Sequence, residues 1–229
     1  MKALSRTLLA AAALAVATPA FAADLLTTKA PAAAPAPAPT TTITLEGSPE
    51  FSAATGNLSD DYVKGTISYT FAPGWSVSGA VQDTVKNLTG TNTYQYQVEG
   101  AVAYKAKLSD MLSLSGTAGL GYTTGNTGYV GGVFSSSLLN NDSFLYYFVS
   151  GAADLKLDSN WTWNAINVRY RNAFTETWIT PKISTGITYN IDSTHAVYAN
   201  VGYAWKDKGD GKGLVGDKYN VAVGYKFSF

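Results

Sequence analysis

The sequence predicts an all-β chain folded as a transmembrane antiparallel up-and-down β-barrel of about ten strands. Three observations predict it: segments of roughly ten residues in which apolar and polar side chains alternate, connections that alternate between tight and long, and an export signal at the N-terminus. Eight or twelve strands are the alternative counts.

Residues 1–22 open with Lys2 and Arg6, continue through an apolar run from Leu8 to Val16, and end in Ala20-Phe21-Ala22. This is the layout of a secretory signal peptide, with cleavage expected after Ala22. The apolar run is too short to span a bilayer as a helix, and no later stretch is longer. Residues 23–41 carry Pro31, Pro35, Pro37 and Pro39 among alanines. Their composition predicts an extended periplasmic tether ahead of the barrel, residues 42–229.

Composition excludes several classes. There are no cysteines, so disulfide scaffolds, thiol catalysis and lipid attachment at a mature N-terminal cysteine are ruled out. Loss of Lys2 and Arg6 with the signal peptide leaves 14 basic against 16 acidic residues, a net charge of −2 that gives no case for nucleic-acid binding. The 22 glycines, 15 tyrosines and 5 tryptophans suit a water–lipid boundary, and would also suit a carbohydrate-binding surface.

The alternation begins at Ile43 and Leu45, weakened by Gly47 and Pro49, so an eight-strand barrel with this first strand displaced is a competing reading. Val63, Ile67, Tyr69 and Phe71 continue it. Ala72-Pro73-Gly74 then makes a tight turn. Trp75, Val77 and Val81 form the next outward set, and Tyr94 to Tyr104 and Leu112 to Tyr122 the two that follow, joined at Ser109-Asp110. Residues 123–142 are the longest connection. A hairpin at Tyr129 to Phe134 would fit there, whereas two further spanning strands with their turns would not.

Leu145, Tyr147 and Val149 resume the pattern, although Phe144, Tyr146 and Phe148 make the opposite face unusually apolar. From Trp161 to Arg171 the parity changes: Trp161 and Trp163 are odd, Ile166, Val168 and Tyr170 even. A bulge near Asn164 and Ala165 would place both sets on one face. Strands at Ile179 to Tyr189 and Val197 to Trp205 follow, joined at Asp192-Ser193-Thr194, and the last runs from Asp217 to Phe229.

That last strand, with Gly224, Phe227 and a terminal Phe229, resembles the closing strand of bacterial outer-membrane β-barrels. The resemblance makes the chain similar to small porin-like proteins of Gram-negative bacteria. It implies outer-membrane localisation, lipid and lipopolysaccharide around the barrel, periplasmic chaperones on the way, and a monomer. It also implies that Gly224, Phe227 and Phe229 act as the signal read by the barrel assembly machinery. The tight turns at Pro73, Asp110, Ser159 and Ser193 would then be periplasmic, and the long links would face out. Phe71, Trp75, Trp161, Tyr189 and Phe227 would form one aromatic girdle, and Tyr94, Tyr122, Tyr203, Trp205 and Tyr219 the other.

Inward parity collects ten cations, Lys64, Lys105, Lys107, Lys156, Arg169, Arg171, Lys182, Lys206, Lys218 and Lys226, against five acids, Glu46, Glu50, Glu99, Asp154 and Glu176. Two readings stand: ion-pair networks that fill a narrow lumen, or a constricted path favouring small anions. The candidate selectivity residues are Glu46, Glu50, Lys64, Glu99, Lys105, Arg169, Lys182 and Lys226. The expected function is a non-enzymatic narrow channel or structural envelope barrel; the alternative is an adhesin or receptor acting through outer loops such as residues 123–142. The single histidine, His195, sits at an expected periplasmic turn, which argues against an enzyme. With no cysteine beside it, no transition-metal site and no cofactor are expected. Residues 207–211, Asp-Lys-Gly-Asp-Gly, echo a calcium loop but lack its distal glutamate.

Overall fold

The computed structural model describes residues 40–86, 88, 93–124, 127–128, 143–175, 178–208 and 213–229. The signal peptide, the tether up to residue 39, the hairpin at Tyr129 to Phe134, Glu176 and residues 209–211 of the calcium-like stretch lie outside the described residues. In chain order the elements are β1 (Thr40–Ser52), β2 (Leu58–Ala72), β3 (Trp75–Lys86), β4 (Thr93–Lys107), β5 (Leu112–Thr123), the two-residue β6 (Thr127–Gly128), β7 (Phe144–Lys156), β8 (Trp161–Ala173), β9 (Lys182–Asn190), β10 (His195–Asp207) and β11 (Leu214–Ser228).

Each long strand pairs antiparallel with its neighbours. β3 pairs β4 and β1 pairs β11, so the sheet closes on itself as a ten-strand up-and-down barrel. β6 only extends the β4 edge, opposite Thr93 and Tyr94. Closure leaves no sheet edge, which is what a bilayer without hydrogen-bonding partners demands. At the seam Thr41 and Phe229 exchange backbone hydrogen bonds of 2.9 Å in both directions.

β1 is a full member of the sheet, which removes the eight-strand alternative, and the described strands close at ten rather than twelve. Pro49 has no N–H to give, and the β1–β11 ladder passes from Gly47 opposite Val223 to Glu50 opposite Asn220. A side chain bridges this gap. Ser48, 1% exposed, donates its hydroxyl to the Val221 carbonyl at 3.1 Å and accepts from Asn220 Nδ2 at 2.8 Å.

The tight connections all fall at one end: Pro73-Gly74, residues 108–111, 157–160 and 191–194. Gly74 takes φ 79°, and a Cβ there would lie 2.6 Å from the Lys105 carbonyl oxygen, so the turn requires glycine. Asp158 accepts from the amides of Asn160 and Trp161, each at 2.8 Å, and Asp192 from those of Thr194 and His195, each at 2.7 Å. These Asx-type bonds fix two of the turns. β8 carries the expected bulge. Asp154 pairs Asn164 while Ala153 pairs Ile166, so the parity resets and Trp163 and Ile166 both face out, 45% and 41% exposed.

The outer surface is an apolar belt. Leu45, Val81, Leu120, Leu145 and Val223 stand 58–60% exposed, each from a different strand. A belt this continuous is a lipid-facing surface. At the tight-turn end Trp161 packs on Tyr189 at 4.7 Å and Trp75 on Tyr104 at 4.9 Å; at the loop end Tyr203 packs on Trp205 at 4.7 Å and Phe51 on Tyr219 at 5.2 Å. Two aromatic girdles thus bracket the belt.

Candidate functional site: the charged lumen

Inward-facing side chains build three charge clusters because the period of two places every second residue of each strand in the lumen. The largest is centred on Glu99 of β4. One oxygen accepts from Arg169 of β8 at 2.5 Å and from the Tyr146 hydroxyl of β7 at 2.6 Å; the other accepts from Lys64 of β2 at 3.2 Å. The Arg169 guanidinium also lies 4.3 Å over the Phe148 ring. Here the apolar inward face of β7 finds its use: Tyr146 is fully buried and Phe148 6% exposed, a ring platform beneath the arginine. A network reaching from β2 to β8 fills that side of the lumen.

The second cluster holds Glu46 of β1. Its two oxygens accept from the hydroxyls of Tyr62 at 2.7 Å and Tyr198 at 2.6 Å. Lys226 of β11 stands 4.8 Å over the Tyr198 ring.

The third cluster lies at the loop end. Lys218 of β11 bridges Glu50 at 3.0 Å and Asp60 at closer range. Arg171 donates to Thr180 Oγ1 at 3.1 Å and stacks 4.8 Å over Trp178. Lys86 and Lys182 complete the wall of a cavity of about 290 Å³, whose lip includes Trp205. Among the described residues Lys86, Arg171 and Lys182 have no ion-pair partner. A smaller cavity of about 230 Å³ lies beyond, lined by Asp154, Asn164 and Lys226.

The structure brings most of the candidate selectivity residues together. Lys64, Glu99 and Arg169 meet in one network; Glu46, Glu50, Lys64, Arg169 and Lys182 all line the loop-side cavity, and Glu46 also lines the smaller one with Lys226. Lys105 stands apart. Its side chain is 54% exposed and pairs with Asp154 at 2.7 Å. Lys107 pairs with the turn residue Asp110 at 2.8 Å. Sequence reasoning missed Asp60 and Lys86 because it placed both in polar links. β2 in fact begins at Leu58 and β3 ends at Lys86, so both keep inward parity, and Asp60 is 4% exposed. Continuing the alternation to the first turn-forming residue would have found them.

His195 begins β10 at the tight-turn end, its Nδ1 close to the Tyr225 hydroxyl and its ring 5.1 Å from Phe227. Among the described residues no group of three or more His, Asp or Glu gathers in a metal-binding arrangement. Gly224 and Phe227 lie on β11 and Phe229 directly follows it. Gly224 pairs Tyr198, and a Cβ there would lie 2.3 Å from that ring.

No family model matches the chain, and no curated protein matches it. Solved structures similar to it include the NanC porin, at 11% identity over 81% of this chain and 98% of that one, TM-score 0.49. An outer-membrane channel from Pseudomonas putida F1 matches at 9% identity over 88% and 100%, TM-score 0.47. The KdgM porin matches at 15% identity over 82% and 99%, TM-score 0.43. At these identities the likeness is one of fold. With its ladder closed on itself, an apolar belt between two aromatic girdles and its charges turned inward, the chain is a ten-strand β-barrel built to span a membrane.

Proposed function

We propose that the protein is a narrow channel for small anionic solutes. The observation that carries this is the loop-side cavity, where Lys86, Arg171 and Lys182 line the wall and make no ion pair among the described residues. A positive mouth with low-dielectric walls raises the local anion concentration and the entry rate, as in other charge-selective pores. Two further cations are paired. Lys64 and Arg169 line the same cavity but share one carboxylate, Glu99, which offsets only part of their charge. No catalytic role falls to His195, which the barrel holds among aromatic rings of the tight-turn girdle.

The test is conductance of the refolded mature protein in a planar bilayer under a potassium chloride gradient. Discrete openings with a reversal potential on the chloride side are expected, moving toward zero in Lys182→Gln and Arg171→Gln. A silent bilayer with a demonstrably folded barrel would overturn the channel reading and leave a structural envelope barrel.

A further inference from the structure

We infer that the solute path does not follow the barrel axis but runs along the β8–β9–β10 wall, and that Glu46 sets its charge preference where the two cavities adjoin. This rests on the channel reading and deepens it. The loop-side cavity and the smaller one beyond it share four lining residues, Glu46, Asn167, Ser184 and Asn200. The two spaces therefore adjoin at that seam. Glu99 of β4 and the fully buried Tyr146 of β7 fill the other side, and Arg169 of β8 reaches across to them.

The seam is kept open by glycine. A Cβ at Gly186 of β9 would lie 1.9 Å from Asn200 Oδ1, and one at Gly202 of β10 would lie 2.6 Å from Asn220 Oδ1. With only hydrogen at those positions, the Asn200 and Asn220 amides fold against the wall instead of across the lumen. Three of the four shared residues are neutral hydrogen-bonding groups, suited to replacing part of a solute's water shell.

The fourth is charged and makes no ion pair among the described residues, since Lys64, its partner across the β1–β2 ladder, turns to Glu99. Among the described lumen carboxylates, Glu50 and Asp60 face Lys218, Glu99 faces Lys64 and Arg169, Asp154 faces Lys105 and Asp217 faces Lys206. Glu46 has only the two tyrosine hydroxyls. They fix its position without neutralising it. An anion gathered by the basic mouth then meets one negative charge at the seam, so the mouth attracts and Glu46 limits.

Two measurements on the full-length mature barrel test this. In Glu46→Gln, which keeps an oxygen to accept from a tyrosine, the chloride-to-potassium permeability ratio should rise roughly two- to tenfold, the effect of one partly screened charge beside the path. An unchanged ratio would overturn Glu46 as the selectivity residue. Because the chain has no cysteine, single cysteines can be placed without background. Modification of Ser184→Cys or Asn200→Cys by a charged methanethiosulfonate should block most of the current, and modification of Ser78→Cys on the facing strand β3 should not. Block from Ser78→Cys alone would overturn the path and leave the channel reading standing. Absence of current in the unmodified barrel would overturn both.

Discussion

The phenol of Tyr146 lies flat over Gly121, its direct partner across the β5–β7 ladder. A Cβ built on Gly121 would stand 2.2 Å from the ring carbon Cζ. The same arrangement recurs one step along the same strands, where Phe148 covers Gly119 and a Cβ on that glycine would stand 2.4 Å from the ring, and again where Tyr198 covers Gly224. Each pairing lets a large ring lie down along the inner wall. The two tyrosines then reach the lumen carboxylates Glu99 and Glu46 with their hydroxyls, and Phe148 supports Arg169.

Gly121→Ala should therefore cost about 1–3 kcal/mol, the usual range for forcing extra volume into a packed site. The ring would have to swing away and loosen its 2.6 Å bond to Glu99. Urea unfolding of the barrel from lipid vesicles would measure it. The double variant Gly121→Ala, Tyr146→Ala should lose less than the two single costs combined, since one clash and one hydrogen bond are shared between them.

Replacing Glu99 by Gln strands two cations. Breaking a fully buried ion pair costs about 3–5 kcal/mol, but Lys64 and Arg169 keep 21% and 23% side-chain exposure, so water takes part of the load and about 2 kcal/mol is expected. The same change should raise anion preference in the bilayer assay. A stability loss without any change in selectivity would place this network outside the solute's reach.

Lys105 and Lys182 should respond unequally to neutralisation. Lys182→Gln should shift the reversal potential clearly. Lys105→Gln should shift it little and change stability by less than about 1 kcal/mol, because that lysine is half-exposed and already paired with Asp154. Equal shifts would mean that the loop-side mouth is not where selection occurs.

Two turn carboxylates set an acid limb of stability. Asp158 is held below the usual carboxylate range first by the amide of Trp161 and then by that of Asn160; Asp192 is held down first by the amide of Thr194, then by its hydroxyl. A depressed folded-state value means that the contribution is fully present above the unfolded value of about 3.9 and is lost as pH falls through the folded one. Unfolding midpoints should show no effect of these groups from about pH 7 to 5 and decline below about pH 4. Asp158→Asn and Asp192→Asn should flatten that decline.

Phe229 separates assembly from stability. The residue is 63% exposed and its ring stands 5.4 Å from that of Phe227, while its backbone seals the barrel against Thr41. Phe229→Ala should leave the folded barrel within about 1 kcal/mol of its stability. If Phe229 is read as an assembly signal, the yield of membrane-inserted barrel in cells should fall severalfold while refolding in vitro is unaffected. Unchanged yield would remove that role.

The count of about ten strands, the end of the barrel at which the turns lie, the two girdles and the β8 bulge were all legible in the amino-acid order, because each follows from a period of two and from local turn chemistry. Asn164 and Ala165 betray their bulge through the parity change between Trp163 and Ile166, with no knowledge of a partner strand. Parity also gave the side on which Glu46, Glu99 and Lys182 point. Which charges neutralise one another emerges only in the folded barrel, since Glu99 meets Arg169 across 70 positions and Lys218 meets Glu50 across 168. Those pairings depend on barrel closure and on the axial stagger of the strands, which the spacing within one strand does not encode. The same holds for the glycines. In sequence Gly121 and Gly224 are small residues in alternating strands, and only cross-strand register places a tyrosine ring over each.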